Sequence, residues 1–262
     1  MAGQFAGKVA IVTGASQGIG KGIALAFARE GADTVIVSSS APKLSQAATD
    51  IATATGNKPE IVAADLKTEP ACRSVFDFVE GRYGRADILV NSAGATRAGD
   101  FLTMPDEVWM DGFALKYLSC VRLSRLFWPL LSKAGGNIVN IDGGASRTPN
   151  ALFLIGGSVN AAMANFSKGL SKRGIKDNVN VNVIHPGSTQ TERAEVLLRQ
   201  RAEADGITIE QARARSIEES GLRRIATPND IAALTLFLCS DAARHIQGTA
   251  IAVDGGGTPG YY

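Results

Sequence analysis

The residues best suited to chemistry begin with a glycine-rich run, Thr13-Gly14-Ala15-Ser16-Gln17-Gly18-Ile19-Gly20. It follows the apolar run Lys8–Thr13 and opens the amphipathic stretch Ile19–Glu30, so it reads as a strand-to-helix turn. In such a turn Gly14 permits the tight bend and Gly18 lets the backbone come close to a pyrophosphate. Gly20 lets the helix pack on the strand. The first N–H groups of that helix have no partner within it and face an anion. The chemistry expected here is the binding of a phosphate-bearing nucleotide.

Groups that could move protons are few. The tyrosines are Tyr83, Tyr117, Tyr261 and Tyr262, and none lies between positions 118 and 260. The histidines, His185 and His245, have no matching carboxylates at metal-ligand spacing, so no metal is expected. His185 reads as structural and His245 as a surface residue. Cys72, Cys120 and Cys239 are odd in number and far apart, with no CxxC. That pattern fits small buried residues in a reducing cytoplasm better than a disulfide framework or a zinc site.

The elements that must position these groups are legible as an alternation. Lys8–Thr13, Thr34–Val37, Glu60–Ala63, Asp87–Asn91, Asn137–Ile141, Val179–His185 and Thr249–Val253 are short apolar runs that read as strands. They are continuous, as parallel strands buried on both faces require. Ile19–Glu30, Lys43–Thr55, Glu69–Tyr83, Pro105–Ser132, Ser158–Lys172 and Pro228–Cys239 read as helices between them. The pattern predicts an α/β protein: a single doubly wound Rossmann domain over 1–262, with a seven-stranded parallel sheet flanked by helices. One segment, 189–224, breaks the rhythm. It is charged and helix-prone and follows a strand whose carboxyl end faces the expected ligand, so it is expected to form a lid.

Composition narrows the partners. With 27 basic and 25 acidic residues the net charge is +2, and no strongly basic face follows for nucleic acid. Aromatic residues are only 6% of the chain, too few to suggest stacking platforms for single strands. No run of eighteen apolar residues suggests a membrane span, and the start lacks the pattern of a signal peptide, so a cytoplasmic location is expected.

Further motifs follow in order. The spacing of the turn, TGxxxGIG, is joined by Asp65-Leu66, by Asn91-Ser92-Ala93-Gly94, and by Pro186-Gly187 with Thr191 behind it. The tail carries Arg224-Ile225-Ala226-Thr227-Pro228, then Ser240-Asp241, Gly248 and Val253-Asp254-Gly255-Gly256. Together these resemble the short-chain dehydrogenase/reductase family of the classical type, over nearly the whole chain. The resemblance implies an NAD(P)-binding oxidoreductase. It implies cofactor contacts from Gly14, Ser16, Gln17, Gly18, Ile19, Gly20, Ser39, Asp65, Leu66, Asn91, Ala93, Gly94, Pro186, Gly187 and Thr191. It also implies a homotetramer or dimer built through helices 105–132 and 158–172 and the last strand. Trp109, Phe113, Tyr117, Leu123, Leu126 and Trp128 are expected to supply apolar surface to the first of these. The second strand ends in Ser38-Ser39-Ser40. It offers neither the acid that holds a ribose hydroxyl nor the base that holds a 2′-phosphate. With no acid to repel a phosphate, NADP(H) is slightly favoured.

The same resemblance exposes a departure. The family uses a tyrosine to donate the proton and a lysine four residues later to lower its pKa and hold the ribose. A serine binds the substrate oxygen, and an asparagine on an earlier helix carries the relay. The motif spacing puts these four positions at Gly156, Asn160, Gly143 and Lys116. The missing tyrosine cannot be recovered by shifting the alignment, since no tyrosine lies between 118 and 260. Losing a positioned general acid costs about 10²–10⁴ in rate, and Gly143 offers no side-chain donor to a developing oxyanion. Lys116, Asp142 and Asn160 remain as candidates to stand in, although alternation along a strand would turn Asp142 away from the pocket. Ser158 reads as a helix N-cap. Gly143-Gly144 and Gly156-Gly157 suggest empty volume that would admit a bulkier ligand. Three readings stay open: an oxidoreductase on a small carbonyl or alcohol with a rerouted proton path, a nucleotide-binding pseudoenzyme, and a non-redox cyclase, isomerase or lyase.

Overall fold

The computed structural model describes residues 3–258, apart from the side chains at 193 and 201. Seven parallel strands form one sheet: β1 (Val9–Thr13), β2 (Asp33–Ser38), β3 (Glu60–Ala63), β4 (Ile88–Asn91), β5 (Asn137–Ile141), β6 (Asn180–Pro186) and β7 (Ala250–Val253). Their order across the sheet is β3-β2-β1-β4-β5-β6-β7. The order reverses between β1 and β4, which leaves a crevice beyond their carboxyl ends, where ligands bind in folds of this kind.

The apolar runs are continuous because both faces of the sheet are covered. Side chains alternate along a strand. In β1, Ala10 and Val12 pack against α1 (Gly18–Arg29), α2 (Ala41–Thr55) and α9 (Pro228–Cys239). Val9 and Ile11 face the other way, toward α3 (Glu69–Tyr83) and α5 (Ser119–Ala134). The three cysteines are free and buried, Cys239 in the first of these cores and Cys72 in the second. Among the described residues, no helix is long and apolar enough to cross a membrane.

Two elements differ from the pattern read in the sequence. The stretch 105–132 is not one α-helix. α4 (Asp106–Gly112) passes through a π-helical segment, Phe113–Leu118, into α5. A π turn adds a residue per turn and re-aims the side chains on it, and such turns recur at functional sites. Lys116 lies on this one. On α5, Leu123 is fully buried in its own core and adds nothing to an outer surface.

The helix expected at 158–172 is longer. α6 runs Leu154–Asp177 with Phe153 as its N-cap, and ends on Asn178 in the left-handed conformation (φ 58°). Ser158 is therefore an exposed residue inside the helix, not its cap. Gly156 and Gly157, which precede the helix expected from 158, are absorbed in its first turns because packing outweighs their poor helix propensity.

The excursion at 189–224 forms α7 (Glu192–Asp205) and α8 (Ile209–Glu219). The Thr191 hydroxyl caps α7, and Thr208 with Gln211 forms a capping box on α8. Arg213 pairs with Glu195 through both carboxylate oxygens at 2.9 Å, joining the two helices. The base is closed where Gln190 N–H donates to Ala226 O at 2.7 Å and Ala226 N–H donates to Ser188 O at 3.0 Å.

Candidate active site

The crevice above β1 and β4 holds a cleft of about 560 Å³. Gly14, Ser16, Gln17, Gly18, Ile19, Gly20, Ser39, Asp65, Leu66, Ala93, Gly94, Pro186, Gly187 and Thr191 all line it. Asn91 does not. Its side chain is buried and donates to Asn140 Oδ1 at 2.8 Å, while Asn140 donates to Ser167 Oγ at 2.7 Å. Asn91 joins a polar chain linking β4, β5 and α6 beneath the floor. An amide can face either a ligand or a neighbouring strand, and here a partner amide on β5 decides.

The glycine turn has the backbone that close approach needs. Gly14 and Gly18 have φ of 65° and 56°. A Cβ on Gly14 would lie 2.8 Å from Ser92 O, and one on Gly20 would lie 2.5 Å from Gly14 O. The turn is thus pressed between β4 and its own helix. Thr13 Oγ1 fixes the opposite lip by accepting from Ser92 N–H and Ala93 N–H, both at 3.0 Å. These features fit an elongated ligand with phosphates over the start of α1.

Ser38, Ser40 and Ser92 line the cleft too, and so do Lys43 and Glu192, which the sequence motifs did not single out. Ser16 Oγ donates to Ser38 Oγ at 3.0 Å, and Lys43 Nζ donates to Gln17 Oε1 at 3.2 Å. The signal for Lys43 was available: it is the first base after the serine triplet and lies in the first turn of α2. Nothing local marks Glu192.

The far end of the cleft carries Lys116 and Asp142. Lys116 Nζ donates to Asn160 Oδ1 at 2.6 Å and to the backbone carbonyl of Asp142 at 3.0 Å. Its stem crosses Gly94, where a Cβ would stand 2.8 Å from Lys116 Cδ. The π segment thus turns a lysine onto α6, and Asn160 receives it there. Burial pushes the Lys116 ammonium down to about 8, against the pull of the nearby Asp142 charge. An ammonium has three N–H donors, so one is left for a ligand in the cleft.

Asp142 does not simply turn away, as strand alternation suggested. Its carboxylate is paired with His185 Nδ1 and accepts from Gly143 N–H, and both side chains of the pair are fully buried. Its other oxygen has no hydrogen-bond partner among the described residues. Burial raises the Asp142 pKa, opposed by His185 and by Lys116. Asp142 thus offers the cleft its backbone carbonyl, through Lys116, and a nearby charge. His185 holds the carboxylate and is buried, and His245 is exposed.

The glycines around this end do not leave the empty volume expected. A Cβ on Gly156 would lie 2.0 Å from the ring of Phe153, and one on Gly143 would lie 2.9 Å from Asn160 Nδ2. Gly144 is approached by Thr258 Oγ1, with 3.3 Å to a Cβ, and Gly157 by Ala145 O, with 3.2 Å. The missing side chains are replaced by neighbours. Above all, the Phe153 ring lies where a side chain at 156 would begin.

A family model described as enoyl-(acyl carrier protein) reductase matches residues 14–258. An uncharacterized oxidoreductase, YvaG of Bacillus subtilis, is 32% identical over 95% of this chain and 96% of its own length. The 2,3-dihydro-2,3-dihydroxybenzoate dehydrogenase of the same organism is 33% identical over 97% of each. Among solved structures, an L-sorbose reductase from Gluconobacter frateurii complexed with NADPH and L-sorbose superposes with a TM-score of 0.95 at 33% identity, covering 100% of both chains. A family match across nearly all the chain, with relatives above 30% identity over nearly their full length, decides the classification. The chain belongs to the short-chain dehydrogenase/reductase family of oxidoreductases.

Proposed function

We propose that the chain is an NADP(H)-dependent oxidoreductase on a small carbonyl or alcohol, in which Lys116 carries the proton. The observation that carries this reading is the placement of Lys116 Nζ at the cleft wall, bonded to Asn160 Oδ1 and the Asp142 carbonyl. The motif spacing puts an asparagine at 116 and a lysine at 160 in relatives, and this chain has the reverse. The two elements still bring the ammonium to the same junction.

The cofactor would lie with its phosphates over Gly14, Gly18 and Gly20 and its adenosine side against Asp65 and Leu66. When bound, a reduced nicotinamide supplies hydride to the carbonyl carbon. The negative charge then developing on the carbonyl oxygen needs a positioned acid. Lys116 has one N–H uncommitted, and its acidity near neutral pH suits proton transfer in either direction. Asn160 and the Asp142 carbonyl fix where that N–H points. The α7–α8 excursion would act as a lid that excludes water from the far end. Consumption of NADPH with a panel of small ketones, aldehydes and ketoses tests the reading. No turnover with any of them, in a protein that binds NADPH, would sink it.

Ser38, Ser39, Ser40 and Lys43 favour NADP(H) over NAD(H), because they present hydroxyls and one ammonium where a 2′-phosphate would sit. The NADPH complex of the L-sorbose reductase is consistent with this choice. Calorimetric titration is expected to find NADPH bound more tightly than NADH. Lys43→Ala should cut that preference about tenfold, roughly 1.4 kcal/mol. Equal affinity of the unaltered protein for both would contradict the assignment.

Met110 on α4 and Ile175 on α6 are large exposed apolar side chains on the helices through which the family associates. They support a dimer or tetramer, with the cytoplasm as the expected location. Light scattering is the check, and a monomer at micromolar concentration would refute the assembly.

One observation favours a second reading. The Phe153 ring fills the position where the family's tyrosine would project from residue 156. That arrangement suits a protein that binds the dinucleotide without turning it over, and the same carbonyl panel separates the two.

A further inference from the structure

The amide of Gly18 is the donor that the glycine-rich turn presents to a phosphate, and in the structure it is engaged from the lid. Gly18 N–H donates to Glu192 Oε2 at 2.9 Å. Glu192 is the first residue of α7. Its neighbour Thr191 packs on the same glycine, with 3.1 Å between Thr191 Cγ2 and a Cβ built there. The Thr191 hydroxyl also caps α7, accepting from Ala194 N–H at 3.2 Å. The first turn of the lid is therefore seated on the phosphate turn through one carboxylate and one methyl group.

The electrostatics make a carboxylate a good occupant of this place. The N-terminus of α1 is electropositive, and so is the start of α7. Glu192 Oε2 lies on the Gly18 amide at the one and belongs to the first residue of the other. A pyrophosphate seated on the same turn would need that N–H and would repel the carboxylate. Two anions cannot share one donor at this distance without large cost. Glu192 is exposed and its link to the turn is a single hydrogen bond, so a multiply charged ligand can displace it.

We propose that Glu192 is an internal anion latching α7 onto the glycine-rich turn, and that a pyrophosphate-bearing ligand must displace it to bind. Ligand entry and release of the lid's first turn are then one event. A dinucleotide cofactor would have to be seated before the α7–α8 lid adopts its working position over a substrate. The proposal rests on the dinucleotide reading above and deepens it.

Calorimetric titration with NADPH of the unaltered protein, Glu192→Gln and Glu192→Ala tests the latch. Glutamine keeps an acceptor and loses the charge, whereas alanine loses both. Both variants should bind NADPH about 3- to 10-fold more tightly, which is about 0.7–1.4 kcal/mol. Limited trypsin digestion without nucleotide gives a readout free of activity. Cleavage within α7 and α8 should be several-fold faster in both variants, at unchanged melting temperature. Unchanged affinity would overturn the proposal. So would weaker binding, which would make Glu192 a contact of the bound ligand. If the unaltered protein bound no NADPH, the dinucleotide reading would fall and the latch with it; failure of the latch alone leaves that binding intact.

Discussion

Lys116→Met is expected to lower kcat/KM for carbonyl reduction by about 10²–10⁴-fold, the usual contribution of a positioned general acid. Methionine keeps an unbranched stem over Gly94 and removes the ammonium that Asn160 and the Asp142 carbonyl hold. The pH dependence supplies the sign. With the ammonium pushed down to about 8, carbonyl reduction needs the protonated form and should fall as pH rises through about 8. Alcohol oxidation needs the neutral amine and should rise through the same pH. The variant should lose both inflections.

A structural lysine would behave differently. Because the folded-state pKa of Lys116 lies below the ordinary 10.5, the unfolded chain binds the extra proton between about 8 and 10.5. Stability should therefore increase with pH across that window, and below it the buried charge costs stability. Lys116→Met should accordingly melt no lower than the unaltered protein at pH 7. A variant that keeps its turnover and its pH inflections would remove Lys116 from the reaction. One that loses activity only because it melts lower would make the lysine a packing residue.

The second large effect is expected at the glycine turn. Gly14→Ala places a methyl group 2.8 Å from Ser92 O and 2.9 Å from Ala93 Cα, at a residue with φ 65°. The atoms it meets are backbone, so no side chain can swing aside. Left-handed strain of about 1 kcal/mol adds to an overpacking cost of about 1–3 kcal/mol. The turn would shift away from the β4 lip that Thr13 Oγ1 holds. Dinucleotide affinity should fall at least about 30-fold, as calorimetry would read, with a lower melting temperature. Full affinity in this variant would mean that the ligand does not use this turn.

How much of this was legible follows from where the information lies. Strand β1 could be read because both its faces meet helices, through Ala10/Val12 on one side and Val9/Ile11 on the other, leaving an apolar run from Val9 to Val12. The phosphate turn could be read because its glycines answer a local backbone demand. What was not legible was decided by approach between distant segments. Asn91 faces Asn140 across two strands and not the cleft. Phe153 comes back over Gly156, so a glycine pair that suggested space marks the lack of it. The contact of Glu192 with Gly18 spans the chain and leaves no trace in either local sequence. No glycine or proline marks the π segment under Lys116, so only the structure reveals that it aims the lysine at Asn160.

The most direct test of the central claim follows the hydride itself. The protein is incubated with NADPH deuterated at the transferring carbon and a panel of small ketoses and ketones, and the alcohol products are examined by mass spectrometry. The account predicts deuterium in at least one alcohol with the unaltered protein and none above background with Lys116→Met. NADPH bound tightly with no deuterium transferred to any product would contradict it, and would leave a protein that holds the dinucleotide without using it for reduction.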